Sequence, residues 1–343
     1  MKIGLVGYQG TGKSSLFELL TGVKPDPSKV HTGQVGVATV PDRRFDGLVK
    51  LFNPKKVTPA KMELLDTPGL SRDHDESNNQ RMSVVREANA LVHVIGVYAG
   101  ADPLADAARF EEDMMLADMQ VLKNRIDRLK ASIGKHKPDK EQSEKELAQL
   151  EPVAAMLNEG KLLREAEFTA DQEAATRSFS LLTRKQVLLV LNTADAKTDE
   201  AVVKQLAERG YSAITAPAGI ELELAALDEA ERELFAADYG ITESSHDRLL
   251  RALFDVTEQI TFYTSDEKEV RAWLLKRGST ALVAAGTIHS DLARGFIRAE
   301  VMAVDDLLRL GSEREVKAAG LHHVVGKDHV VQNGDEIVVR FNV

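Results

Sequence analysis

Gly7 to Ser14 spell G-x-x-x-x-G-K-S, a spacing that builds a cradle for phosphate groups. Gly7, Gly10 and Gly12 let backbone N–H groups turn inward with no Cβ in the way. Lys13 is then placed to lie along the β- and γ-phosphates, and the Ser14 hydroxyl to ligate Mg²⁺. Gly10, Thr11, Gly12, Lys13, Ser14 and Ser15 are the nucleotide-contacting positions expected of this loop. The helix that follows adds the positive end of its dipole.

Further along, Asp66-Thr67-Pro68-Gly69 supplies a second phosphate-site signature, D-x-x-G. Asp66 can hold Mg²⁺ through water, and the Gly69 N–H can approach a γ-phosphate, as in a switch loop ordered by intact nucleotide. Thr32, in the polar stretch Lys29 to Gln34, is the candidate for one more ligand to the ion. Asn192-Thr193-Ala194-Asp195 gives the base-reading candidate. An Asp carboxylate there can accept two hydrogen bonds from guanine N1–H and the exocyclic amine, which adenine does not offer. Thr215-Ala216 can bring backbone N–H groups near the base.

The elements that must position these residues read as strands alternating with helices. Lys2 to Val6 is an apolar run ahead of the loop, and Ser15 to Leu20 continues it as a helix with a leucine face. Val35 to Val40, Met62 to Leu65, Ala90 to Val97, Gln186 to Leu191 and Tyr211 to Thr215 are further strands. Their alternation with helices predicts an α/β, doubly wound, mainly parallel sheet, with ligands at the carboxyl ends of the strands. Ser71 to Gln80 is almost wholly polar and reads as a loop.

A long charged segment interrupts this pattern. Met115, Met119, Leu122, Ile126, Leu129 and Ile133 recur at spacings of four and three, and Leu147, Leu150, Ala154 and Leu157 form a stripe running back. An antiparallel helical hairpin is expected, with Pro152 as a kink. Near its tip Lys123, Arg125, Arg128, Lys130, Lys135, Lys137 and Lys140 face only Asp127 and Asp139. The stretch Lys123–Lys140 is therefore either a solvated surface or a basic contact for RNA or ribosome phosphates.

The carboxyl-terminal stretch predicts a helix over His246 to Ile260. Strands are expected at Glu258 to Thr264, Glu269 to Leu275 and Asp335 to Val343, with a helix at Val301 to Leu310. Asn333-Gly334 is a hairpin signal. Together these suggest a small β-grasp, ubiquitin-like module. His289 followed by Asp291 reads as a hydrogen-bonded turn. The expected division is 1–104 with 176–258 as the nucleotide domain, 105–175 as the helical insertion and 259–343 as the β-grasp domain.

The 343 residues are 43% hydrophobic and 29% charged, an ordinary globular composition. With no cysteine there is no disulfide and no cysteine-bound zinc, which fits a reducing compartment. No apolar stretch approaches the roughly 20 residues that span a bilayer. The chain opens on a strand, so neither a leader nor a membrane partner is expected, and the location expected is the cytoplasm. A net charge of −10 argues against broad nonspecific nucleic-acid binding.

The order of P-loop, D-x-x-G, helical hairpin, N-x-x-D and terminal β-grasp resembles the YchF (Obg-like ATPase) branch of the Obg-related P-loop proteins. Lys268 to Gly278 (KEVRAWLLKRG), Ala284 to Val301 (AAGTIHSDLARGFIRAEV) and Gly326 to Asp335 (GKDHVVQNGD) are close to that family's wording. The resemblance implies that the last module is a TGS domain. It also implies a cytosolic, Mg²⁺-dependent nucleoside triphosphatase associated with ribosomes or translation. Nucleotide contacts then fall on Gly10, Gly12, Lys13, Ser14, Asp66, Asn192 and Asp195.

The chain also departs from the family. Gly10 stands where the family usually has Asn, and counting back from Val40-Pro41-Asp42 puts Val30, not Thr32, at the Mg²⁺-binding threonine. The segment after Val97 is short and omits a loop that carries a candidate catalytic histidine in relatives. These differences suggest a divergent paralogue. Guanine-specific relatives have N-K-x-D, and ATP-using members end the motif in Glu. Asp195 leans towards GTP, while Thr193 in place of Lys keeps ATP open.

The catalytic position after Gly69 is Leu70, where Ras-like enzymes place a water-orienting Gln. Lys13 and Mg²⁺ are expected to neutralise the charge of the transition state, with slow hydrolysis unless His74, Gln80 or a partner's group stands in. The alternative is a nucleotide-gated binding module with negligible hydrolysis.

Overall fold

The computed structural model describes residues 1–72, 77–134, 140–197, 199–241 and 243–342. Its first strands are β1 (Lys2–Val6), β2 (Gln34–Thr39), β3 (Lys56–Thr58), β4 (Lys61–Asp66), β5 (Ala90–Gly96), β6 (Val187–Asn192) and β7 (Ser212–Ala216). They are followed by β8 (Gln259–Ser265), β9 (Glu269–Lys276), β10 (Phe296–Ala303), β11 (His323–Val325) and β12 (Asp335–Phe341). The chain divides into two compact units, Met1–Val37 with Glu63–His246, and Ala38–Met62 with Asp247–Val343.

The first unit is built on a sheet ordered β2-β4-β1-β5-β6-β7. β1 runs parallel to β4 and to β5, β5 to β6, and β6 to β7. Every residue of the inner strand β5 is buried, whereas β2 at the edge alternates buried and exposed. A strand covered on both faces must be apolar throughout, and this made ALVHVIGV legible as a strand. The mainly parallel α/β sheet is the one the sequence predicts.

The helical insertion belongs to this first unit. Its helices span Pro103–Ile133 and Lys140–Asn158, with Asp102 capping the first through Leu104 N and Ala105 N. Leu122, Ile126 and Leu129 pack with Leu150, Val153 and Leu157, and Met115, Met119, Leu147 and Ala154 flank them. Each fully buried Leu or Ile contributes roughly 1.5–3 kcal/mol, enough in sum to hold the pair. Pro152 lies inside the second helix without ending it.

The charge reading of this hairpin needs correction. Arg125 pairs with Glu146 at 2.7 Å, Lys130 with Glu151 at 2.8 Å and Lys140 with Glu144 at 3.6 Å. For Arg125 and Lys130 the counter-charges come from the second helix, which inspection of neighbouring residues along the first does not find, while Lys140 pairs four residues along its own helix. Lys123 and Arg128 are the named cations without an ion pair among the described residues. Lys135, Lys137 and Asp139 lie outside the described residues.

The second unit carries a mixed sheet ordered β11-β10-β12-β8-β9-β3. β8 and β9 form an antiparallel hairpin, β10 is antiparallel to β11 and β12, and β12 is parallel to β8. The helix Ala281–Ile288 lays Ala281 and Ala284 on a core of Ile260, Phe262, Leu275, Ala299, Val301 and Ile337. A mixed sheet with a helix on one face is the β-grasp arrangement expected.

Three details differ from expectation. Val301 to Ala303 end strand β10, and the helix there is Val304–Leu310. Asn333-Gly334 turns without making a hairpin: Asn333 Oδ1 accepts from Thr261 N at 3.0 Å, and β12 finds its partners in β10 and β8. The helix near residue 250 is Ser245–Val256, with β8 beginning soon after. His289 does form a turn, its Nδ1 accepting from Asp291 N at 3.2 Å.

The largest departure from the expected division concerns Ala38–Met62, which joins the second unit. β3 pairs in parallel with β9 through Lys56↔Glu269, Val57↔Val270 and Thr58↔Arg271. The helix Arg43–Phe52, capped by Asp42 at Arg44 N and Phe45 N, packs against β8, β9 and the helix Val304–Leu310.

Candidate functional site

The motif residues of the first unit meet at the carboxyl ends of β1, β4, β5, β6 and β7. The loop after β1 leads into the helix Lys13–Thr21, which buries Leu16, Phe17 and Leu20. Gly12 precedes it with φ 87°, a backbone state that side chains resist, and a Cβ there would lie 2.1 Å from Asn192 Nδ2. Only glycine fits. Gly10 also has a positive φ, 77°, but in open space. Asn is the other residue that enters this region readily, so the backbone here accepts either residue.

Lys13 is 7% exposed, and its Nζ donates to Tyr8 O at 2.8 Å. Burial lowers its pKa to about 8, opposed by the Asp66 carboxylate. Ser14 Oγ donates to Asp66 Oδ2 at 2.8 Å. Asp66 Oδ1 is buried without a hydrogen-bond partner, and burial raises this carboxyl's pKa against the pull of Ser14 and Lys13. A hydroxyl beside a carboxylate with an oxygen to spare is a hard-oxygen donor pair that fits Mg²⁺. Ser14 and Asp66 would hold the ion, which when bound offsets the negative charge of the phosphates.

Thr32 lies exposed in a turn, its N–H donating to Lys29 O at 3.1 Å. Its neighbour Gly33 packs on the end of β4, where a Cβ would be 3.1 Å from Asp66 O. The polar stretch therefore reaches the Asp66 side of the site, but the described contacts do not bring the Thr32 side chain to Ser14 or Asp66. Ser15 is half-buried on the first turn of the helix.

At the other end of the site, Asn192 is 3% exposed and joins two segments. Its Nδ2 donates to Thr11 O at 3.0 Å, and its Oδ1 accepts from Ala218 N at 3.2 Å. Thr215 and Ala216 are buried at the end of β7, in register with Leu191 and Asn192, and Thr193 N donates to Ala216 O at 3.3 Å. Asp195 sits in a turn, its Oδ1 accepting from Lys197 N at 3.0 Å. The carboxylate is 41% exposed.

Leu70 is 1% exposed in an apolar cluster with Val6, Met82, Phe110 and Met114. Its backbone extends the sheet, Leu70 N donating to Gly7 O and Gln9 N to Leu70 O, both at 3.0 Å. Its side chain is packing, so Leu70 marks the catalytic position in the motif without carrying chemistry. Gln80 is exposed on the helix Ser77–Val85, and His74 lies outside the described residues.

Sequence reasoning missed a buried cluster under the loop. Tyr8 Oη donates to Asp113 Oδ2 at 2.8 Å, and burial together with that carboxylate drives the phenol pKa upward. Arg72, three residues past Gly69, grips Asp106 with two hydrogen bonds of 2.6 and 2.7 Å. Its guanidinium carbon stands 4.6 Å from the centre of the Tyr8 ring. His93 stacks on Phe110 at 4.3 Å, and both its ring nitrogens are buried without a hydrogen-bond partner. Burial pushes its pKa to about 3, so it is neutral. A tyrosine inside a glycine-rich loop was the available signal, since the loop itself requires no aromatic residue.

The chain matches families and structures of known proteins along its length. The profile of the YchF GTPase C-terminal domain, described as a protein of unknown function (DUF933), matches residues 259–342. A profile described as a 50S ribosome-binding GTPase matches residues 2–126. The ribosome-binding ATPase YchF of Bacillus subtilis is 35% identical, over 99% of this chain and 99% of its own length. Obg-like ATPase 1 of Oryza sativa is 32% identical, over 100% of this chain and 92% of its own. The structure of the Schizosaccharomyces pombe YchF GTPase superposes with a TM-score of 0.77 at 24% identity, covering 99% of this chain and 97% of that one.

Proposed function

The chain belongs to the YchF family of P-loop proteins, and on that premise we propose that it is a Mg²⁺-dependent nucleoside triphosphatase switch that hydrolyses the γ-phosphate slowly. The observation that carries this is the Lys13, Ser14 and Asp66 cluster, in which a buried ammonium, a hydroxyl and a carboxylate with an unpartnered oxygen converge. Lys13 stabilises the charge that gathers on the phosphoryl oxygens. The backbone of Gly10, Thr11 and Gly12 holds the phosphates in line, and Asn192 keeps that backbone fixed through Thr11 O.

The base proposed is guanine, read by Asp195, whose exposed carboxylate stands beside the buried ends of β6 and β7. Relatives named ATPases make adenine the competing outcome. Titration calorimetry with non-hydrolysable GTP and ATP analogues, repeated on Asp195→Asn, separates the two. Equal binding of the ATP analogue, unaffected by the substitution, overturns the guanine reading.

The proposed setting is the ribosome, in line with the descriptions of a relative and of a matching family, and with it the cytoplasm. No helix among the described residues is long and apolar enough to cross a membrane. Among the described residues, Lys123 and Arg128 are the named hairpin cations without an ion pair and so are available to phosphates. A second reading, a nucleotide-gated binding module with negligible hydrolysis, draws support from the burial of Leu70. Phosphate release measured with and without ribosomes decides between them.

A further inference from the structure

Resting on the hydrolase reading, we infer that Gln9 is a catalytic residue, its carboxamide orienting the attacking water in place of the glutamine absent at Leu70. Gln9 is exposed, and its side chain makes no hydrogen bond among the described residues. Its position is fixed from below, because Gln9 N donates to Leu70 O at 3.0 Å. The loop residue and the end of the D-x-x-G segment are thus tied together by the backbone.

The side chain runs over Gly69. A methyl carbon built on Gly69 would lie 3.1 Å from Gln9 Cγ and 3.1 Å from Lys13 Nζ. The phosphate-binding lysine and the Gln9 side chain thus both approach the D-x-x-G glycine. The lysine and the D-x-x-G glycine are groups expected beside a γ-phosphate in a P-loop enzyme. A primary amide beside it offers an acceptor for the water and a donor for a phosphoryl oxygen. The side chain of Leu70, buried in the core, can do neither.

In the step itself, the water oxygen forms a bond to the γ-phosphorus as the bond from that phosphorus to the β,γ-bridging oxygen breaks. The electron pair stays on the leaving nucleoside diphosphate. A proton of the water passes to an oxygen of the phosphate released. Gln9 neither gains nor loses a proton: its Oε1 accepts from the water and its Nε2 donates to a γ-oxygen.

The test uses the full chain and the variants Gln9→Ala and Gln9→Asn, with folding checked by thermal melts. Three quantities are measured: single-turnover phosphate release, affinity for non-hydrolysable GTP and ATP analogues, and binding of nucleoside diphosphate with Mg²⁺ and aluminium fluoride. Gln9→Ala is expected to slow release by about 10²-fold, the scale of losing one positioned group. Analogue affinity should stay within about twofold, while the fluoride complex, which mimics the transition state, weakens with the rate. The shorter Gln9→Asn should fall between. Release by Gln9→Ala at or above the wild-type rate, or a loss matched by the ground-state analogues, overturns the assignment. A wild-type chain that releases no phosphate, with or without ribosomes, overturns the hydrolase reading as well, so the two failures are distinct.

Discussion

Tyr8 of the phosphate loop and Asp113 of the helix Pro103–Ile133 share a buried hydrogen bond of 2.8 Å. The same helix holds Arg72 through Asp106, and Arg109 donates to the Arg72 carbonyl. One helix thus holds both the loop that binds phosphates and the segment following D-x-x-G. Tyr8→Phe removes a buried bond to a carboxylate and should cost about 1.5–3 kcal/mol of stability in urea denaturation. Arg72→Met leaves the buried Asp106 carboxylate without its two hydrogen bonds, so it should lower stability as well as speed nucleotide dissociation measured with a fluorescent analogue. Unchanged dissociation would mean that the helix does not steady the site.

Lys13 should make nucleotide binding sensitive to alkali. Its pKa in the free protein is lowered from 10.5 to about 8 by burial. Phosphates favour the ammonium form, so above pH 8 binding must take up a proton. Affinity should be flat below pH 8 and fall by up to about tenfold per pH unit above it. Calorimetry in buffers of different ionisation enthalpy reads the proton uptake directly, and Lys13→Arg should flatten the profile.

Glu336 should make the stability of the β-grasp unit fall through neutral pH. Its side chain is fully buried on β12, hydrogen-bonded to Ser265, with Oε2 unpartnered and Glu313 and Lys317 as the charges facing it. Burial raises its pKa from 4.5 to about 7. The folded state binds this proton more tightly than the unfolded one, so the stabilisation is complete below pH 4.5 and lost as pH rises through 7. The swing is at most about 3 kcal/mol. Glu336→Gln should remove this part of the pH dependence in denaturation curves taken at pH 5 and pH 8.

The parts of the molecule legible in the sequence are those whose cause is local. Gly12, Lys13 and Ser14 are required by the loop's own geometry, and β5 is apolar because both its faces are covered. The hairpin seam through Leu122, Ile126 and Leu129 follows from helical spacing. What escaped reading depends on partners far along the chain. Glu146 neutralises Arg125 from the next helix, and β3 is a strand because β9, some two hundred residues later, lends it hydrogen bonds. Gln9 escaped for another reason: the motif leaves its position unspecified, and only the approach to Gly69 gives it meaning.

The excursion of Ala38–Met62 changes what a truncation would do. Removing residues 259–343 looks like trimming an appendage, but it would strip β9 from β3 and uncover Phe45 and Leu48, now 5% and 0% exposed. The remnant would carry an open strand edge and a greasy helix in the very connection that leads from Thr32 to Asp66. Such a fragment invites self-association, and any activity it lost would say little about what the missing module does. The second unit is thus made of two separate stretches of chain, Ala38–Met62 and Asp247–Val343, and a cut at residue 259 leaves the first of them behind.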